Sequence, residues 1–243
     1  MKPTAVAIIP CRYDSKRLPG KPLRRIHYKS LIHHIYDTIS ETKLFDQVIV
    51  ATDDERIYDE VTSFGGIVTK SQKKHNSGSD RIAEIAQNID SDLFVNVQGD
   101  ELFMTGDAIN SLLSCFDDKK VNVATLAHKI SNTEDIENPN RVKVVVDENG
   151  NALYFSRSVI PYKRSEENYT YLGHIGVYAF RKETLIKFSK MQQSTLEKIE
   201  KLEQLRLLEN NIKIRVNIIE FTGFGIDTAE DLIEAQNKLK NIP

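Results

Sequence analysis

Short, mainly apolar runs separated by segments of helical period constrain this chain more than any other feature. Ala5–Pro10 (AVAIIP), Gln47–Thr52 (QVIVAT) and Leu93–Val97 (LFVNV) are too short for buried helices and read as strands covered on both faces. Between them, Leu31–Thr42 places Leu31, Ile32, Ile35 and Ile39 near a period of 3.6, Glu55–Phe64 stops at Gly65-Gly66, and Asp80–Asn88 is again helical. Ile67–Thr69 reads as a further strand. The alternation implies a three-layer α/β/α sandwich on a mostly parallel, Rossmann-like sheet. Ligands on such sheets bind at the carboxyl ends of the strands, so the loops at 11–22, 53–54 and 98–101 matter first.

The second half changes character. Val121–Ile130 and Arg141–Val146 read as strands, and an Asn149-Gly150 turn leads into Ala152–Ser156 as a hairpin. Gly173–Phe180 and Lys213–Glu220 are strand-like, and Leu196–Asn210 reads as one charged amphipathic helix. On it Glu200 and Gln204 are four apart and share a face, while Leu202 and Leu205 turn to the core. Thr228 with Asp231 forms a capping-box pattern opening the last helix. One domain over 1–243 is expected, with about 128–180 as an inserted acceptor and dimerisation element.

Composition excludes several classes. A net charge of −2 gives no global field for nucleic acid or an acidic membrane. Cys11 and Cys115 form neither a CxxC nor a zinc spacing. His33 and His34 diverge on their helix, so they make no metal pair. The N-terminal apolar run is too short for a signal peptide and no stretch reaches about 20 apolar residues, so a cytoplasmic location is expected.

The loop after the first strand, Pro10-Cys11-Arg12-Tyr13-Asp14-Ser15-Lys16-Arg17-Leu18-Pro19-Gly20-Lys21-Pro22, gathers cations and a hydroxyl around one glycine. It is neither a Walker loop nor a GxGxxG fingerprint. Its charge alone favours a solvated basic turn, and its place at a strand end brings a polyphosphate cradle level with that reading. Asn96-Val97-Gln98-Gly99-Asp100-Glu101 closes another buried strand. Gly99 permits close backbone approach, and Asp100 suits a magnesium ion that bridges phosphates, or is simply a turn aspartate. Asp227 is a second candidate carboxylate, but by itself it reads better as an ordinary helix N-cap.

Taken together these blocks resemble the CMP-Kdo synthetases (3-deoxy-manno-octulosonate cytidylyltransferases). The loop is similar to RYxSxRLPGKPL, Asn96–Glu101 to NVQGDE, and Gly225-Ile226-Asp227-Thr228 to VDTPEDL. His75–Arg81 is similar to HxSGTDR with Ser79 for Thr, Phe155–Pro161 to FSRxxIP, GHIGVY to RHxGxY, and the helix at 196 to LExxExLEQLR. The resemblance implies a nucleotide-diphospho-sugar transferase type of fold and CTP binding by Pro10, Cys11, Arg12, Ser15, Arg17, Lys21, Ser77, Arg81 and Gln98. Arg17 and Lys21 would act on the phosphates, and Asp100 and Asp227 would hold Mg2+. Gln98, Arg157, Arg164, His174, Tyr178, Glu200 and Gln204 would bind the sugar.

Besides Ser79, three positions depart from the family: Leu102 and Ala229 replace prolines, and Gly173 replaces the arginine before His174. The last lies in the acceptor segment, close to the expected sugar pocket, and puts the identity of the sugar in question. The expected reaction is transfer of CMP from CTP to the anomeric hydroxyl of Kdo with release of pyrophosphate, for lipopolysaccharide or capsule synthesis, by a homodimer. An 8-amino-8-deoxy-Kdo acceptor, or a non-catalytic nucleotide-sugar sensor, stay as alternatives.

Overall fold

A computed structural model describes residues 3–14, 17–72, 75, 78–226 and 228–240. Ser15, Ser77 and Asp227 of the expected site lie outside the described residues. The chain divides into two compact units, 1–109 with 222–243, and 110–221.

In the first unit β1 (Ala5–Pro10) leads through the two-residue strands β2 (Arg25–Ile26) and β3 (Lys29–Ser30) to α1 (Leu31–Glu41). Then come β4 (Gln47–Thr52), α2 (Glu55–Ser63), β5 (Ile67–Lys70), α3 (Gly78–Ala86), β6 (Leu93–Asn96) and α4 (Gly106–Ser114), which runs past residue 109. The order β6-β1-β4-β5 is parallel throughout. Residues Val6–Ile9 and Leu93–Val95 are at most 2% exposed, which explains their uninterrupted apolar character. Ser30 caps α1 by accepting from the His33 N–H, and Asp54 caps α2 by accepting from the Arg56 N–H. Gly65, at φ 79°, ends α2 in the left-handed conformation. The chain adds β4 and β5 on one side of β1 and returns to place β6 on the other. That reversal opens a crevice at the carboxyl ends of β1 and β6, the usual ligand position in such sheets. The closing helix, Ala229–Lys240, begins with the expected reciprocal cap between Thr228 and Asp231.

The second unit holds β7 (Val123–Ile130), α5 (Thr133–Glu137), β8 (Lys143–Val146), β9 (Ala152–Ser156) and β10 (Tyr171–Arg181). It continues with α6 (Lys182–Ser189), α7 (Thr195–Glu200), α8 (Gln204–Glu209) and β11 (Arg215–Ile219). β7 pairs with β11 in parallel and with β10 antiparallel; β10 pairs with β8, and β8 with β9 across the expected turn. There Gly150 takes φ 74° and its N–H donates to Asp147 O. The sequence reading did not anticipate α4, α5 or α6.

The single helix expected over Leu196–Asn210 is corrected to two. Lys201 adopts φ 56°, ψ 45° between α7 and α8. The cause is a buried ion pair: Arg206 Nε and Nη2 donate to the two oxygens of Glu197 at 2.8 and 2.6 Å, with both side chains at most 3% exposed. Nine residues along a straight helix would put them on opposite faces and about 13.5 Å apart along the axis. The break therefore cancels the shared face expected for Glu200 and Gln204, although Leu202 and Leu205 are buried as expected. Burial would raise the Glu197 pKa, but the Arg206 hydrogen bonds and the Ser194 N–H lower it overall. Its contribution to stability is thus present above the usual glutamate range and is lost as pH falls through the lowered value. Arg206→Met is expected to cost about 3–5 kcal/mol in urea unfolding, because it strands a buried carboxylate. A loss below about 1 kcal/mol would contradict this account.

Candidate active site

The crevice of the first unit is a cleft of about 910 Å³ lined by Pro10–Asp14, Arg17, Lys21 and Gln98–Asp100, among others. Its floor follows from strand geometry. Cys11 N–H donates to Ala51 O at 2.8 Å, fixing the start of the basic loop on β4. Gly99 sits so close to this turn that an added Cβ would lie 3.1 Å from Cys11 Sγ and 3.2 Å from Pro10 O. The close approach expected of Gly99 is therefore present.

The loop is held from both sides. Gly20, at φ 66°, lies under the Tyr13 ring, and its N–H donates to Tyr13 O at 3.1 Å. The Arg56 guanidinium stacks 3.2 Å from the Tyr13 ring centroid and is itself held by Asp54 at 3.0 and 2.7 Å. Arg81 is 5% exposed and donates to Cys11 O (3.0 Å) and Asp53 (2.9 Å), tying the loops after β1 and β4 together. Its hydrogen bond holds the Asp53 carboxyl below the ordinary range. Sequence reasoning named Arg81 for its motif and missed Asp53, Arg56 and Tyr13. The strand-end position of Asp53-Asp54 was the signal available for them.

Arg12 and Arg17 are exposed on the cleft wall. Lys21 opens a short turn and sends Nζ to within 2.8 Å of Asp100 Oδ2, with the two side chains 14% and 29% exposed. Gln98 Nε2 donates to Asn96 Oδ1. Burial pushes the Cys11 thiol up to about 12, which leaves it protonated and inert as a nucleophile. Ile226 N–H donates to Asp100 O at 3.1 Å, so the segment running into the late aspartate motif is anchored on residue 100. No cluster of three or more His, Cys, Asp or Glu exists among the described residues that could cage a metal. A half-buried carboxylate beside a cationic phosphate loop suits a magnesium ion that takes its remaining ligands from substrate and water. Leu102, in place of the family proline, is 4% exposed and packs inward.

In the second unit His174 and Tyr178 share a face of β10, with ring centroids 5.3 Å apart, and Phe155 meets His174 edge-on. Thr125 Oγ1 lies 2.7 Å from Val177 O and 3.0 Å from His174 Nε2. A carbonyl can only accept, so the hydroxyl donates to Val177 O and receives Nε2–H. Nδ1 of His174 is then the acceptor nitrogen. Burial lowers the His174 pKa to about 3 and raises that of Tyr178 well above its ordinary value, so both rings are neutral. Tyr178 Oη and Gln204 Nε2 are two of four buried side-chain polar atoms that lack a hydrogen-bond partner among the described residues. Glu200 accepts from Ser156 Oγ (2.6 Å) and the Arg157 N–H (3.0 Å), while Arg157 donates to Glu200 O and Pro139 O. Arg164 is exposed.

Gly173 does not belong to this face. It pairs with His128 while His174 pairs with Ala127, and successive residues point to opposite sides. A Cβ at 173 would stand 2.7 Å from His128 Nε2 and 3.0 Å from Ile130 Cδ1. His128 fills that space, so the glycine is a packing adjustment on the face of β10 opposite His174.

A strand-end cleft with a cationic loop and a facing carboxylate defines a nucleotidyl-transfer fold, and the family comparison agrees. The cytidylyltransferase family profile matches residues 6–214, and the chain belongs to this family. Within it, the chain is 48% identical to the 3-deoxy-manno-octulosonate cytidylyltransferase of Flavobacterium johnsoniae over 241 residues, covering 98% of this chain and 99% of the relative. It is 47% identical over 237 residues to the enzyme of the same name from Fusobacterium nucleatum, covering 97% and 96%. Among solved structures it resembles CMP:2-keto-3-deoxy-manno-octonic acid synthetase complexed with CTP, at TM-score 0.93 and 41% identity, covering 98% of each chain. The mostly parallel, helix-flanked α/β fold expected from the sequence is the fold these proteins share. No helix among the described residues is long and apolar enough to cross a membrane.

Proposed function

We propose that this chain transfers CMP from CTP to the anomeric hydroxyl of 3-deoxy-manno-octulosonate, releasing pyrophosphate. The observation that carries the reading is the cleft at the ends of β1 and β6, where Lys21 of the cationic loop meets Asp100. The sugar oxygen forms the new bond to the α-phosphorus, and the α–β bridging bond breaks with its electrons leaving on pyrophosphate. Arg17 and Lys21 neutralise the departing phosphates. Asp100 and Asp227 would hold magnesium, which would supply charge neutralisation and lower the pKa of the sugar hydroxyl. Arg12, Gln98 and the backbone of Pro10 and Cys11 face the nucleotide, and Arg81 holds that backbone in place. Transfer is direct, from CTP to the sugar oxygen without a covalent enzyme intermediate, and the buried Cys11 thiol takes no part as a nucleophile.

On the acceptor side, His174 offers Nδ1 as an acceptor to a sugar hydroxyl, and the Tyr178 ring stands beside it on the same strand face. A neutral His174 leaves Arg157 and Arg164 as the cations for the sugar carboxylate. A homodimer is part of this proposal. The test of the reading is pyrophosphate release with each of the four ribonucleoside triphosphates plus Kdo, where CTP alone supports rapid turnover. Equal rates with UTP would sink it.

Thr125→Val keeps the shape but removes the hydroxyl that fixes the His174 tautomer. It is expected to raise the KM for the sugar roughly five- to tenfold, on the order of the 1–1.5 kcal/mol of one hydrogen bond. The KM for CTP should stay within twofold, and equal shifts in both constants would contradict the tautomer assignment.

A further inference from the structure

Lys143 plays no part in the chemistry above, yet it is one of the largest fully buried side chains of the protein, at 0% exposure. Burial and the neighbouring Arg157 guanidinium push its pKa below the ordinary lysine value, and Glu200 offsets this in part. A methionine would fill the same space without the cost of desolvating an ammonium, so its hydrogen bonds are what distinguish it. Nζ donates to Arg157 O at 2.8 Å and to Asn138 O at 3.0 Å.

These bonds close a circuit at the end of β9. The carbonyl of Arg157 is held by Lys143 and its N–H by Glu200 Oε2. The Arg157 side chain reaches Glu200 O and Pro139 O, next to the Asn138 carbonyl that Lys143 also holds. Glu200 Oε1 receives the Ser156 hydroxyl. Each Glu200 oxygen therefore has one protein partner and keeps a second lone-pair direction for a ligand. Phe155, one residue earlier on β9, rests against His174.

We propose that Lys143 is a positioning residue for the sugar acid: by pinning the peptide at residue 157 it sets the orientation of Glu200 and Arg157 toward the acceptor. This rests on the acceptor reading given above. Lys143 touches neither substrate, and it lies in the second unit, so its removal should leave the nucleotide cleft alone.

The test is Lys143→Met, read by steady-state kinetics with each substrate varied and by calorimetric titration of CTP. The KM for Kdo is expected to rise at least tenfold, while the KM and Kd for CTP stay within twofold. In a cycle with Glu200→Gln, the double variant should be little worse than the poorer single variant, because both act through one circuit. A KM for Kdo within twofold of wild type in folded Lys143→Met overturns the proposal. So does full multiplicativity of the two effects. If Glu200→Gln, His174→Ala and Lys143→Met all leave the KM for Kdo unchanged, the acceptor reading itself has failed. Should Lys143→Met not fold, Ser156→Ala interrupts the same circuit with the ammonium in place. A threefold or larger rise in the KM for Kdo supports the proposal, and an unchanged value overturns it.

Discussion

Lys21→Ala is expected to lower kcat by roughly 10²–10³, the loss typical of removing one preorganised charge-stabilising group. The lysine side chain stands at the cleft wall, 14% exposed, with its ammonium directed at Asp100 within the proposed phosphate site. Charge on the departing pyrophosphate grows along the reaction coordinate, so the loss should fall on kcat more than on the KM for CTP. Turnover within twofold of wild type at saturating CTP and magnesium would remove Lys21 from the mechanism. The ion pair adds a second expectation. With Nζ and Asp100 Oδ2 at 2.8 Å, Lys21→Ala and Asp100→Asn alter one another's surroundings and should not combine additively.

Asp100→Asn is the second large effect. Asparagine preserves shape but withdraws the negative charge that a hard cation favours. Saturation with magnesium should need at least tenfold more metal, and kcat should remain depressed even then. Asp227→Asn should behave alike, and the double variant should lose far less than the product of the single losses, as for residues that serve one assembly. An unchanged magnesium dependence in either single variant rejects that residue as a ligand. Losses that multiply fully would mean that the two carboxylates act separately.

Much of the first unit could be read from the chain itself because its signals are local. Uninterrupted apolar runs mark strands buried on both faces, and the Asp54 cap and the Gly65 stop bound α2. The basic loop and Gly99 lie next to one another because β1 and β6 are neighbours, a strand order that the strand–helix rhythm does not specify. What stayed hidden depends on long-range geometry. The break at Lys201 follows from Arg206 meeting Glu197, and helical periodicity alone favours a continuous helix. Gly173 seemed to border the acceptor because it precedes His174, but adjacent strand residues face opposite ways. Lys143, within an otherwise apolar strand, looks like an outward-facing charge. Only its register opposite Ser156 and Gly173 shows that the ammonium is enclosed.

The sensor alternative predicts nucleotide binding without turnover, and the amino-sugar alternative predicts a reversed acceptor preference. Gly173 gives neither support, since it faces His128. The most direct test of the central claim is product formation with CTP, magnesium and a panel of acceptors: Kdo, 8-amino-8-deoxy-Kdo and an unrelated sugar acid. Pyrophosphate and the CMP-sugar are each quantified, the latter by mass and phosphorus NMR. The account predicts one CMP-Kdo per pyrophosphate, with the highest kcat/KM for Kdo. No CMP-sugar from any acceptor while CTP still binds, or a kcat/KM for another acid above that for Kdo, would contradict it.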